Sequence, residues 1–295
     1  MKSKKTTTNK NLMGALLMSA NLIGALTPIA VLAIPNGYAH LGETSLTQAL
    51  DTLDSMVFSR AYAQDYGNED DVYLGSGDIQ TITTSGSATT VDGGGQAIKD
   101  GGTGTVNTMN NGAQVIEDSS TGTVVNMNGG QQHVKGSGTV DTMNGGDQYV
   151  YDLKTGTINT MNGGNQRVRG TGVVVAMNGG SQIILADQGT INTMNAGLQT
   201  ISAGCTGIVE TMNGGQQTIK GGTGTIVTMY NGKQWVGDSV IGESGTGTLD
   251  TMNNGVQEIA NGGTGTINTM NGGRQLIESG GIGTVKNLNG GWQNI

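Results

Sequence analysis

One fourteen-residue pattern, T-G-T-[VI]-x-T-M-N-G-G-x-Q-x-[IV], recurs in phase along this chain and constrains its fold more than any other feature. Its anchor, position 0, is Val91, Met109, Met127, Met143, Met161, Met177, Met194, Met212, Met229, Met252, Met270 and Leu288, which makes twelve copies. Position −5 is glycine in every copy, from Gly86 to Gly283, and so is position +3, from Gly94 to Gly291. Position +5 is always glutamine, Gln96 to Gln293, and position +7 always Ile or Val, Ile98 to Ile295. Position −3 is Val, Ile or Leu except in the first copy, which has Ala88. Anchors lie 16 to 23 residues apart while the motif keeps its length, so all variation falls in the connectors, the longest being 237–245.

A short in-phase repeat of this kind signals stacked units that bury their apolar faces on one another. Helical units are excluded, because a glycine costs about 1 kcal/mol in a helix interior. Thr, Val and Ile favour a pleated, half-buried surface, and Asn-Gly-Gly supplies positive-φ turns. Each unit therefore reads as strand, tight turn, strand, corner. Two or three apolar side chains contribute about 1.5–3 kcal/mol each, well short of the ~1–2 kcal/mol per residue needed to order the unit's backbone. Hydrogen bonds and side-chain ladders between coils must supply the rest. The spacing predicts a glutamine ladder at +5, inside or at a corner, and a second ladder at +1, where Asn stands in ten copies and Asp92 and Tyr230 are the exceptions. Positions −3 and 0 both face inward only if the strand bends between them. The expected fold is all-β, a parallel β-solenoid of about twelve coils, roughly 58 Å long at ~4.8 Å per coil.

Composition agrees. The 295 residues include 54 glycines but only 2 prolines, which excludes collagen, and 3% aromatics leave too few large side chains for a conventional enzyme core. From Asp65 onward 9 Lys and Arg face 19 Asp and Glu, a net of −10. An acidic chain argues against nucleic-acid binding. Cys205 is the only cysteine, so no intramolecular disulfide forms, and it reads as a tolerated substitution in the repeat.

The first 63 residues read as a signal or leader segment. Lys2, Lys4, Lys5 and Lys10 precede an apolar run from Leu12 to Ile34. Small-x-small sites place cleavage after Ala39 or after Ala63; the alternative is an uncleaved anchor, since the run is long enough to span a bilayer. Residues 64–76 are expected to be a linker and 77–295 the solenoid.

Units such as 263–277, GTGTINTMNGGRQLI, resemble the strand-loop-strand passenger repeats of AIDA-type autotransporter adhesins. The resemblance covers about residues 77–295. It implies a right-handed parallel β-helix, exported to the bacterial cell surface or outer membrane or released outside the cell. It further implies a virulence-associated adhesion stalk or self-association surface whose partners are host-cell or neighbouring bacterial surfaces. Repeat threonines in such a glycoprotein receive heptose from a heptosyltransferase; the matching residues here are Thr105, Thr108, Thr157, Thr160, Thr225, Thr228, Thr266 and Thr269. Two features depart from the family. Ile295 falls inside a repeat rather than after a translocator barrel, so the outer-membrane translocator is expected elsewhere or missing from a truncated product, and methionine stands where relatives more often carry valine.

The sequence thus points to a non-catalytic adhesive solenoid without cofactor or metal. Tyr230 and Trp235, beside the longest connector, are the candidate contact residues. An alternative is ice binding through a grid of Thr-Gly-Thr steps such as Thr103/Thr105 and Thr264/Thr266, interrupted at Val173, Gln188, Ile208 and Ile282. A polysaccharide-cleaving enzyme is disfavoured, because Asp141, Asp147, Asp152 and Glu210 recur as no carboxylate pair. His133 occupies a variable slot and reads as a surface residue.

Overall fold

The computed structural model describes residues 64–237 and 244–295. The leader 1–63, with both cleavage sites, and 238–243 of the longest connector lie outside the described residues. The described chain is all-β: twenty-four strands form one sheet in which every pairing is parallel. Its coils stack as a β-solenoid. No helix among the described residues is long and apolar enough to cross a membrane.

The solenoid starts inside the segment expected as a linker. Strand β1 (Val72–Leu74) and strand β2 (Ile79–Ile82) make an incomplete first coil beneath β3 (Ser85–Ile98). Leu74 takes the anchor's place opposite Val91, and Gln80 and Ile82 lie opposite Gln96 and Ile98. This coil has five residues between anchor and glutamine instead of four, and no Thr-Gly-Thr step, so the repeat pattern does not reveal it. After β4 (Thr103–Ile116) each coil splits into a seven-residue strand ending at the anchor and a shorter one through the glutamine, as in Thr155–Met161 and Asn165–Val168.

Register is set residue by residue. Met177 pairs with Met161 and Met194, and Gln182 with Gln166 and Gln199. The −3 aliphatics and the anchors are buried together, and the pairing skips position −2, here Val175, where the strand bends to turn both inward. They form one continuous apolar column, while the +7 residues fill the far side of the cross-section.

The glutamine column lies in the interior. Each carboxamide Nε2 donates to Oε1 of the glutamine one coil earlier, in an unbroken series from Gln96 to Gln80 (2.8 Å) through Gln182 to Gln166 (2.7 Å) to Gln275 to Gln257 (2.6 Å). The second Nε2 proton reaches across the coil to a carbonyl of the long strand, as from Gln114 to Thr123 (3.2 Å). At the start of the series Gln80 donates to the Glu69 carbonyl (2.6 Å). A buried amide without partners costs roughly 2–7 kcal/mol, so this column is stable only with every rung filled.

The two invariant glycines answer different demands. At +3 the backbone is left-handed, with φ between 77° and 105° from Gly112 to Gly291; in the first copy Gly93 takes that conformation instead of Gly94. At −5 the demand is space: a Cβ on Gly104 would lie 2.5 Å from Ile98 Cδ1 and 2.7 Å from Gln96 Oε1. The longest connector leaves the stack undisturbed, since Met229 pairs with Met252 and Gln257 donates to Gln234 at 2.7 Å across it.

Replacing Gln182 by Leu removes the acceptor of Gln199 Nε2 and the donor to Gln166 Oε1. Each buried group left unmatched costs about 1–3 kcal/mol. Hydrogen exchange should therefore accelerate in the coils around Gln182→Leu while distant coils keep wild-type protection.

Candidate functional site

The outward positions form three surfaces with different chemistry. Positions −6 and −4 line the long strands, for example Thr155 and Thr157 around the inward Gly156. After the bend, −1 makes another hydroxyl column, in which Thr193, Thr211, Thr228, Thr251 and Thr269 are consecutive register partners. The eight threonines singled out from the sequence (Thr105, Thr108, Thr157, Thr160, Thr225, Thr228, Thr266 and Thr269) all belong to the −4 and −1 columns and are half-buried. The carbonyls of Thr105, Thr157 and Thr225 accept the glutamines' second proton, which fixes the backbone that presents these hydroxyls.

At the turn, the +1 asparagines form the second ladder on the exterior. Each Nδ2 donates to the preceding Oδ1, at 3.0 Å from Asn128 to Asn110 and 2.9 Å from Asn213 to Asn195. Tyr230 interrupts it, 54% exposed, and it resumes from Asn271 to Asn253 at 3.0 Å.

Positions +4 and +6 line the outer face of the short strands and carry the variable residues. Trp235 is half-buried here between Thr218 and Glu258. Its Nε1 donates to the Gly237 carbonyl at 2.9 Å, and Lys233 Nζ sits 4.2 Å from its ring centre while pairing with Glu258 at 2.6 Å. Tyr230 and Trp235 therefore occupy different faces of the coil, one at the asparagine turn and one on the short strand.

A richer cluster went unread in the sequence. Stacking places His133, Tyr149 and Arg167, all at +6, over one another. The His133 and Tyr149 rings lie 5.0 Å apart and 8° from parallel, and Arg167 Cζ is 5.3 Å from the Tyr149 ring centre on the next coil. Tyr149 is thus flanked by His133 on one coil and Arg167 on the next. His133 Nδ1 lies 3.1 Å from Tyr151 Oη and Nε2 lies 3.0 Å from Gln131 Oε1. Reading the same slot in successive copies would have revealed the column.

The acidic residues are dispersed. Asp141 accepts from Asn159 and Asp147 from Asn165, while Asp152 and Glu210 are exposed. Among the described residues no group of three His, Cys, Asp or Glu is placed to hold a metal ion. An open depression of about 610 Å³ at the first corners is lined by Lys99, Asp100, Gly101, Glu117, Asp118 and Ser119. Glu117 there pairs with Lys135 at 3.2 Å and Asp118 with Lys154 at 2.6 Å, and the latter contact holds the Asp118 carboxyl below its usual range. Cys205 packs with the +7 aliphatics, 3% exposed, and burial followed by the nearby Asp187 pushes its thiol up.

Compared with protein-family models, curated proteins and solved structures, the chain has no match.

Burial, and then Lys135, hold the His133 imidazole below its ordinary value of 6.5. The unfolded chain then binds the proton more readily than the folded one. The contribution to stability is full above 6.5 and falls as pH drops through that value toward the lowered folded one. Urea midpoints should decline over this window in the wild type, and His133→Phe, which keeps a ring in the stack, should abolish that step.

Proposed function

We propose that this chain is the exported, non-catalytic passenger of an autotransporter-type adhesin, which acts at the bacterial surface as a stalk or self-association surface. The observation that carries the reading is the pair of in-register threonine columns at −4 and −1, unbroken from Thr225 and Thr228 through Thr248 and Thr251 to Thr266 and Thr269. A surface of this kind suits extended, shallow contacts with another cell or another rod, because its chemistry repeats along the axis. The same columns are the proposed acceptors of heptose, with a heptosyltransferase and an outer-membrane translocator as partners. Deleting the gene should lower adhesion to host cells or autoaggregation, and the exported protein should be heavier by intact mass than its bare polypeptide. Unchanged adhesion and aggregation would sink the adhesive role, and a bare mass the glycan.

A second reading rests on the −6 and −4 hydroxyls, which share one sheet face in register, as from Thr223 and Thr225 through Thr246 and Thr248 to Thr264 and Thr266. In that reading the face orders water as an ice lattice does. Purified repeats should then show thermal hysteresis, and its absence eliminates the idea.

A further inference from the structure

Asparagine followed by glycine is the least protected amide in a chain. The glycine nitrogen, unshielded by a side chain, attacks the asparagine Cγ and closes a five-membered succinimide. Ammonia leaves, and water opens the ring at either carbonyl to give aspartate or isoaspartate. The nitrogen must approach Cγ and give up to base a proton that ends on the departing ammonia, so an N–H committed to another acceptor slows the reaction.

The repeat contains this dipeptide many times, and the structure sets two groups of its copies apart. In the asparagine ladder the nitrogens of Gly129, Gly145, Gly163, Gly179 and Gly214 donate to the anchor methionine carbonyl one coil below, at 3.2–3.3 Å. The asparagines before them are held side chain to side chain at 2.9–3.0 Å. Nucleophile and electrophile are both engaged, with different partners. At Asn111 and Asn231, one residue later in the turn, the arrangement changes: Gly112 N donates to Asn111 Oδ1 and Gly232 N to Asn231 Oδ1, each at 2.9 Å. These hydrogen bonds hold the attacking nitrogen against the carboxamide it must reach, and both asparagines are exposed to water. Local sequence creates the difference. The second copy reads Asn110-Asn111-Gly112 and the ninth Tyr230-Asn231-Gly232, so an asparagine stands at +2, directly before the +3 glycine. Asn254 shares the +2 slot but forms no such bond.

We propose that Asn111 and Asn231 are sites of spontaneous, enzyme-free deamidation through a succinimide, while Asn128, Asn144, Asn162, Asn178 and Asn213 are spared. The modification places a carboxylate at each turn. At 111 it stands opposite Asp92, its register partner, so like charges meet on the first full coils. Isoaspartate additionally inserts a methylene into the main chain directly before a left-handed glycine, φ 90° at Gly112 and 105° at Gly232.

Peptide mapping by mass spectrometry, with chromatographic separation of aspartate from isoaspartate, tests this on the full chain held at mildly alkaline pH and physiological temperature. Asn111 and Asn231 should convert at least about tenfold faster than Asn128, Asn144, Asn162, Asn178 and Asn213. In urea, where both hydrogen-bond patterns are gone, all these sites should converge on similar rates. Equal rates at all sites in the folded protein would overturn the proposal, as would a tenfold contrast that persists in urea.

Discussion

The rest of the structure depends on a buried amide that must be satisfied in two directions at once. Each interior glutamine bonds along the axis to the coil before it and across the section to the facing strand. A rung shifted by one residue would turn its carboxamide out of the column and leave two neighbours unmatched. Hydrophobic burial also resists such a slip, which would turn its side chains outward, but it tolerates a looser fit, because Met, Ile and Val fill space without direction. The amide column does not, and it therefore sets the motif's constant length. Glycine at −5 follows from it, since the long strand must come close enough to accept the second proton. Axial bonds repeated from Gln80 to Gln293 make the coils mutually dependent, as expected where each repeat is stable only between neighbours.

Much of this was legible because the repeat supplies twelve readings of one environment. The inward strand parity of +5 with +7, the bend between −3 and 0, and the asparagine ladder all follow from positions that hold one residue or one chemical class in nearly every copy. What the sequence hid depends on variation. The first coil escaped because one extra residue between Leu74 and Gln80 breaks the phase. The two glycine slots looked alike, although one needs a left-handed φ and the other needs room. His133 read as a solitary surface residue, because Tyr149 and Arg167 are distant in the chain and adjacent only once coils are superimposed. The contacts of Trp235 with Lys233 and the Gly237 carbonyl were equally hidden.

Division of labour between the faces follows from the same stacking. Long strands and the turn present hydroxyls and amides on most coils, while the short strands carry rings and charges that differ from coil to coil. Similar side chains brought over one another by parallel register either bond to each other, as the asparagines do, or stack, as His133 and Tyr149 do. The Tyr149 ring is thereby drawn into contacts along the rod.

The corners have a different consequence. Anchors separated by 16 residues and by 23 are joined by the same parallel pairing. Length in sequence is thus uncoupled from length in space: each coil advances the rod by one strand spacing whatever its corner contains. Such a molecule behaves as a ruler whose graduations are fixed by the interior and whose markings are free. A new loop alters what is displayed at one height without moving anything displayed above it, so reach and recognition can change independently.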